Sequence, residues 1–204
     1  IGMKEKIILV TGASDGIGKQ TALELAKMGA TVFVHGRNPE QTVQAVDDIR
    51  LKTGNPNIEV VLADFSSLKQ IRSMADGLLS RLDRLDVLIN NAGVFLKERV
   101  LTEDGFETTF QVNHLAYFVL GNLLLPLLKA APQGRMVNVS SRAHFSIRQL
   151  DMNNLQGEKN YDGRFAYNLS KLGNLLFTYE LARRLRGFPV TVNALHPGEI
   201  STKL

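Results

Sequence analysis

The sequence predicts a doubly wound α/β domain. Three observations predict it: six short apolar runs, a helical pattern between each run and the next, and a glycine-rich turn straight after the first run. Short apolar runs read as strands buried on both faces, and helices between them demand right-handed crossovers and therefore a parallel sheet. In such a sheet a ligand binds beyond the carboxyl ends of the strands, where the strand order reverses.

Ile7-Ile8-Leu9-Val10 is the first strand, and Thr11-Gly12-Ala13-Ser14-Asp15-Gly16-Ile17-Gly18 follows it. A helix on Ile17, Thr21, Leu25 and Met28 comes next, with Gly29 as its stop. Thr31 to Val34 is the second strand; Asn38-Pro39 caps and starts a helix that ends near Gly54. Ile58 to Ala63, Leu85 to Ile89, Arg135 to Val139 and Val190 to Ala194 are the remaining strands. Helical patterns fill Leu68 to Leu82, Glu103 to Leu128 and Phe165 to Leu185. No linker or repeat divides the chain, so residues 1–204 read as one domain. Ile1-Gly2 precedes the first Met, and Leu204 follows a turn with no capping element, so further chain is expected after it.

Of the 204 residues, 44% are hydrophobic and 22% charged, which excludes disordered and low-complexity classes. The chain has no Cys, which removes disulfides, thiolate metal sites and a Cys nucleophile. The net charge of +4 is dispersed, as in Lys4-Glu5-Lys6, and the densest cluster, Arg183, Arg184 and Arg186, sits where a helix ends. Nucleic-acid binding is not expected. The longest apolar run, Leu115 to Leu128, is interrupted by Gly121, Asn122 and Pro126 and is too short to span a bilayer. A soluble, cytoplasmic protein with no metal is the expectation.

The strand ends carry the chemistry. Gly12, Gly16 and Gly18 let the backbone approach a pyrophosphate, while the helix amino end offers N–H groups and a positive dipole. After the second strand, Val34-His35-Gly36-Arg37 holds no acid for a ribose hydroxyl and one guanidinium that suits a 2′-phosphate. That favours NADP(H) over NAD(H). Asp15 argues mildly the other way, and the alternative for Arg37 is a solvated loop charge; His35 reads as structural. Asp64 either meets an adenine amino group or caps the next helix near Ser66 and Ser67. Asn90-Asn91-Ala92-Gly93, Ser140-Ser141 and His196-Pro197-Gly198 end the later strands. Tyr167 and Lys171 stand at i and i+4 of a helical pattern, where an ammonium would favour the phenolate and fit the pair for proton transfer to a carbonyl oxygen. Taken by itself the signal is weak, and a surface Tyr beside a snorkelling Lys is the default reading.

In this order, Thr11-Gly12…Gly16…Gly18, Asn90-Asn91-Ala92-Gly93, Asn113, Ser141, Tyr167…Lys171 and Pro197-Gly198 resemble the short-chain dehydrogenase/reductase family, from Lys6 to Thr202. The resemblance implies a Rossmann fold with Tyr167 as general acid and Lys171 lowering its pKa and holding the nicotinamide ribose. It implies Ser141, rather than Ser140, on the substrate carbonyl and Asn113 anchoring a proton-relay water. Cofactor contacts would come from Gly12, Ser14, Asp15, Gly16, Ile17 and Gly18, then from Arg37, Asp64, Phe65, Asn91, Ala92 and Gly93. Pro197, Gly198, Ile200 and Thr202 would close the list, together with Tyr167 and Lys171. Relatives in this family continue past the Pro-Gly turn, so a last strand and substrate-covering helices are expected beyond Leu204.

The segment Asn154-Leu155-Gln156-Gly157-Glu158-Lys159 lengthens the path from Ser141 to Tyr167. With Phe165-Ala166-Tyr167 and Leu175-Leu176-Phe177-Thr178 it resembles the retinol-dehydrogenase-like branch, which implies NADP(H) and an apolar carbonyl or alcohol. A non-catalytic NADP(H)-binding sensor on the same fold is the alternative; an epimerase or dehydratase holding NAD fits less well with Arg37. The apolar helices Glu103–Leu128 and Phe165–Leu185 either pair subunits or cover the sheet, which leaves monomer and homodimer both open.

Overall fold

The apolar runs form strands because the central ones are buried from both sides, while the two edge strands, Ile58–Leu62 and Val190–Leu195, mix buried and exposed residues. The computed structural model describes residues 3–198. Its strands are β1 (Ile7–Val10), β2 (Thr31–Gly36), β3 (Ile58–Leu62), β4 (Val87–Asn90), β5 (Gly134–Val139) and β6 (Val190–Leu195). They make one sheet in the order β3-β2-β1-β4-β5-β6, and every neighbouring pair is parallel. The order reverses between β1 and β4, so a crevice at their carboxyl ends is where a ligand belongs.

Alternate residues of each strand feed two cores. Ile8, Val10, Val32 and Val34 point to one face, against Ala22 and Ala26 of α1 (Gly16–Lys27) and Val46 and Ile49 of α2 (Pro39–Thr53). Leu9, Phe33, Leu88 and Met136 point to the other, beneath α3 (Leu68–Leu79) and two later helices. Each fully buried Ile or Leu contributes about 2 kcal/mol. Asn38 caps α2 by accepting the Gln41 N–H at 2.9 Å, and Gly54 ends it at φ 66°.

The helix expected over Glu103–Leu128 is in fact several pieces. Gly105 takes φ 81°, Thr102 and Gly105 close a turn, and Leu101 bridges Glu107 antiparallel. Helix begins at α4 (Thr108–Phe110), capped by Glu107, then widens into a π turn (Gln111–Leu115) before α5 (Ala116–Leu123). Pro126 has no N–H to continue that ladder, and α6 (Leu125–Ala130) starts afresh around it. The fourth strand starts at Val87 rather than Leu85, because Asp86 is engaged below it: its carboxylate accepts from Lys6 Nζ (2.8 Å) and the Ile7 N–H (3.0 Å). After β5 comes a 3-10 turn (Arg142–Ser146), a long loop, and α7 (Gly163–Arg184), which Asp162 caps by accepting the Phe165 N–H at 2.8 Å. α5 and α7 lie over the second face, with Ala116, Leu120, Phe177 and Leu181 in its core. Among the described residues no helix is long and apolar enough to cross a membrane.

Candidate active site

The turn after β1 is shaped by contacts that leave no space for side chains. Gly12 takes φ +62°, and a Cβ there would come within 2.7 Å of Ala92 Cα. One on Gly18 would meet the Gly12 carbonyl oxygen at 2.2 Å and Asn91 Nδ2 at 2.5 Å. Asp15 caps α1, its carboxylate accepting the Gly16 N–H at 2.8 Å. Gly12 and Gly18 thus pack the turn against its own frame, and the turn leads into the positive end of α1, where the first-turn N–H groups and the dipole favour an anion such as a pyrophosphate. The residues present fit a dinucleotide.

The expected partners of that loop divide into ligand-facing and supporting groups. Asn91 donates its amide to the carbonyls of Thr11 (2.8 Å) and Gly12 (3.1 Å). The N–H groups of Asn91 and Ala92 both donate to Thr11 Oγ1, at 2.8 and 3.1 Å. Tyr117, fully buried, donates its hydroxyl to the Ala92 carbonyl at 2.8 Å. Beyond Gly93, Val94 gives its N–H to Asn113 Oδ1 (2.7 Å), and its carbonyl accepts from Asn113 Nδ2 (2.9 Å). Sequence reasoning passed over Tyr117 entirely, since a phenol inside an apolar helix carries no local sign of its partner.

His35, read as structural, shapes the loop directly. The Gly12 N–H donates to its Nδ1 at 3.1 Å, so the ring proton sits on Nε2, which donates to the Ala63 carbonyl at 3.0 Å. Its ring stacks on Phe65 with centroids 4.3 Å apart, and burial lowers its pKa from 6.5 to about 4. The Phe65 side chain is buried in the core. Asp64 accepts from the N–H (2.8 Å) and hydroxyl (2.7 Å) of Ser66, while the helix cap itself is Ser67. Arg37 is exposed and makes no ion pair among the described residues. A Cβ on Gly36, its chain neighbour, would touch Ser14 Cβ at 3.1 Å, so the Arg37 strand end stands beside the glycine loop.

Across the crevice, α7 presents Tyr167, Ser170, Lys171, Asn174 and Thr178 as one polar stripe at i, i+3, i+4, i+7 and i+11. Ser140 is buried and donates its hydroxyl to the Lys171 carbonyl at 2.8 Å. Ser141, half-buried, caps the 3-10 turn by accepting the Ala143 N–H at 3.2 Å, and its hydroxyl stands near enough to the Tyr167 phenol to favour the phenolate. That separates the two serines. Lys171 Nζ lies 5.4 Å from the Tyr167 ring centre and donates to the Val139 carbonyl at 3.1 Å. Burial lowers its pKa from 10.5 to about 8. The Tyr167 phenol is pushed up by burial, with the Ser141 hydroxyl pulling the other way. The net shift is upward, opposite in direction to the lowering expected from Lys171. Phe95 meets Tyr167 edge-on with ring centres 6.0 Å apart and forms an apolar wall.

Asn113 sits in the π turn and donates to Ser170 Oγ at 3.1 Å as well as to Val94. Its own carbonyl accepts from Asn174 Nδ2 at 2.8 Å, and Asn174 Oδ1 lies 3.1 Å from His114 Nδ1. The stripe on α7 was visible as polar positions in an apolar helix, and it marks Ser170 and Asn174 as supports that the motifs alone did not name. Pro197 and Gly198 follow β6 at the same edge; Ile200 and Thr202 lie outside the described residues. No group of three or more metal-ligating side chains occurs among the described residues.

The family model for short chain dehydrogenase matches residues 6–204. Human retinol dehydrogenase 11 is 47% identical over 199 residues, covering 98% of this chain and 62% of that protein. Mouse retinol dehydrogenase 13 is 48% identical over 200 residues, covering 98% of this chain and 60% of its own length. The chain therefore spans about three fifths of these relatives. Among solved structures, an uncharacterized protein from Mycobacterium Paratuberculosis superposes with TM-score 0.86 at 39% identity, covering 100% of this chain and 72% of that one. A Pseudomonas aeruginosa RhlG/NADP active-site complex gives TM-score 0.81 at 29% identity, covering 99% of this chain and 75% of that one.

Proposed function

Because the chain belongs to the short-chain dehydrogenase family, we propose that it transfers a hydride between NADP(H) and a small apolar carbonyl or alcohol. The observation that carries this reading is the convergence of Tyr167, Ser141 and Lys171 at the carboxyl edge of the sheet that also holds the tight glycine turn. When bound, the nicotinamide supplies or accepts the hydride. Tyr167 gives its hydroxyl proton to the carbonyl oxygen in reduction and takes one back in oxidation. The Ser141 hydroxyl stands near the phenol, so it would hold a substrate oxygen beside the proton that moves. Lys171 holds the ribose and keeps a positive charge near the developing phenolate. Asn113 ties Val94 to Ser170 and so fixes the loop against α7.

The 2′-phosphate goes to Arg37, with Ser14 beside it, and the pyrophosphate to the turn from Gly12 to Gly18. Asp64 and the Phe65 backbone would border the adenine, Asn91, Ala92 and Gly93 the nicotinamide ribose, and Pro197 and Gly198 the nicotinamide amide. Support for the apolar substrate comes from the name shared by the retinol dehydrogenase relatives and from the Phe95 wall against Tyr167. A cytoplasmic setting belongs to the same proposal.

The test is a fluorescence titration with NADPH and, separately, NADH. NADPH binds more tightly than NADH, and Arg37→Ala weakens NADPH binding about tenfold while leaving NADH unchanged. Equal affinities in the parent protein, or an unaffected Arg37→Ala variant, would remove Arg37 from the site and NADP(H) from the reading.

A further inference from the structure

One carboxylate outside the motifs is buried more deeply than an ordinary helix cap requires. Glu107 is 1% exposed, and its two oxygens accept the N–H groups of Thr109 (2.9 Å) and Phe110 (2.7 Å). Those bonds start the helix that leads through the π turn to Asn113. A third partner comes from far along the chain: the Tyr161 hydroxyl lies 3.1 Å from Glu107 Oε1 and 3.2 Å from the Leu96 carbonyl. Tyr161 immediately precedes Asp162, the cap of the helix that carries Tyr167 and Lys171.

The long loop between Ser141 and Tyr167 is drawn into the same cluster. Gln156 accepts the Glu107 N–H on its side-chain oxygen at 2.8 Å, and its carbonyl accepts from Arg99 Nε at 2.8 Å. Gly163 opens α7 hard against the Leu96 backbone, where a Cβ would reach the Leu96 carbonyl oxygen at 2.3 Å. Capping α4 needs neither Tyr161 nor Gln156. Desolvating a carboxylate is costly unless its hydrogen bonds are filled, and here they are filled from both helices. Burial and the neighbouring Glu107 charge both raise the Tyr161 phenol, so it stays a donor.

We infer that Glu107 and Tyr161 form a latch of positioning residues that sets the amino end of α7, and with it Tyr167 and Lys171, against Asn113. The effect on turnover rests on the function proposed above; the latch itself does not. In the full-length protein, Tyr161→Phe removes the latch hydroxyl and leaves the α4 cap intact. Its kcat for NADPH-dependent carbonyl reduction falls about tenfold, with KM and NADPH affinity within about twofold of the parent, as expected when reacting groups are misplaced but still present. Glu107→Gln does the same, and the double variant is no slower than the slower single, because the two residues act as one unit.

A parental kcat in Tyr161→Phe, or losses that multiply in the double variant, would overturn the latch. Hydrogen exchange separates this from a failure of the functional reading. Tyr161→Phe speeds amide exchange in residues 108–115 and 163–168 together and leaves residues 16–27 unchanged. Unchanged exchange in either of the first two segments overturns the latch. Parent protein that binds NADPH but reduces no apolar carbonyl overturns the proposed function instead, and the exchange result then decides the latch.

Discussion

Burial takes the Lys171 ammonium from its ordinary 10.5 down to about 8, with the Val139 carbonyl 3.1 Å from its Nζ. Between those values the unfolded chain holds a proton that the folded chain has given up, so this residue's contribution to stability rises with pH across that window. At neutral pH the buried charge is a cost. Lys171→Met therefore stabilises the fold by about 2 kcal/mol in urea unfolding while abolishing turnover; a destabilised variant would show that the charge is better compensated than its surroundings indicate. His35 has the same sign at lower pH. Its pKa falls from 6.5 unfolded to about 4 folded, so stability is complete above 6.5 and declines as the pH drops toward 4. The decline amounts to about 3 kcal/mol, and His35→Gln flattens it; an unchanged slope in that variant would assign the acid sensitivity elsewhere. Tyr167 and Lys171 were legible in the sequence because their partnership is local, four positions along one helix. The His35 contact with Gly12 was not, because it joins residues 23 apart in different strands' ends.

At the scale of elements, the glycine turn after β1 is tighter than any ligand alone would make it. Gly18→Ala places a Cβ against the Gly12 carbonyl and the Asn91 amide, both parts of the loop's own frame. NADPH affinity drops at least about tenfold and the thermal midpoint falls with it, because the clash is with backbone that cannot give way cheaply; retained NADPH binding and an unchanged midpoint would show that the loop opens freely. All six strands were readable, because each is a short apolar run between helical patterns. The segment from Glu103 to Leu128 was not readable as it folds. Its apolar spacing suits one helix, but Gly105 turns at φ 81° and Pro126 cannot donate, so the backbone restarts twice. The π turn leaves no mark on composition either. It places Asn113 between Val94 and Ser170, contacts that span 19 and 57 positions of sequence.

For the whole molecule, the two ends of the sheet have separate tasks. At the amino end, Asp86 gathers Lys6, Arg84 and the Ile7 N–H around one buried carboxylate, a purely structural knot. At the carboxyl end lie the glycine turn, Arg37, Ser141 and the Tyr167–Lys171 face of α7, near where the strand order reverses. Family membership was legible because motifs from Gly12 to Gly198 fall at successive strand ends in the right order. The supports behind them, Tyr117, Asn174 and the Glu107–Tyr161 pair, appear only once the chain is folded. The account stands on Tyr167 as the group that moves the proton. Its most direct test follows NADPH absorbance in the full-length protein and in Tyr167→Phe with an apolar aldehyde. The variant binds NADPH as the parent does and turns over at least about a hundredfold more slowly. Turnover within a few-fold of the parent would contradict the account.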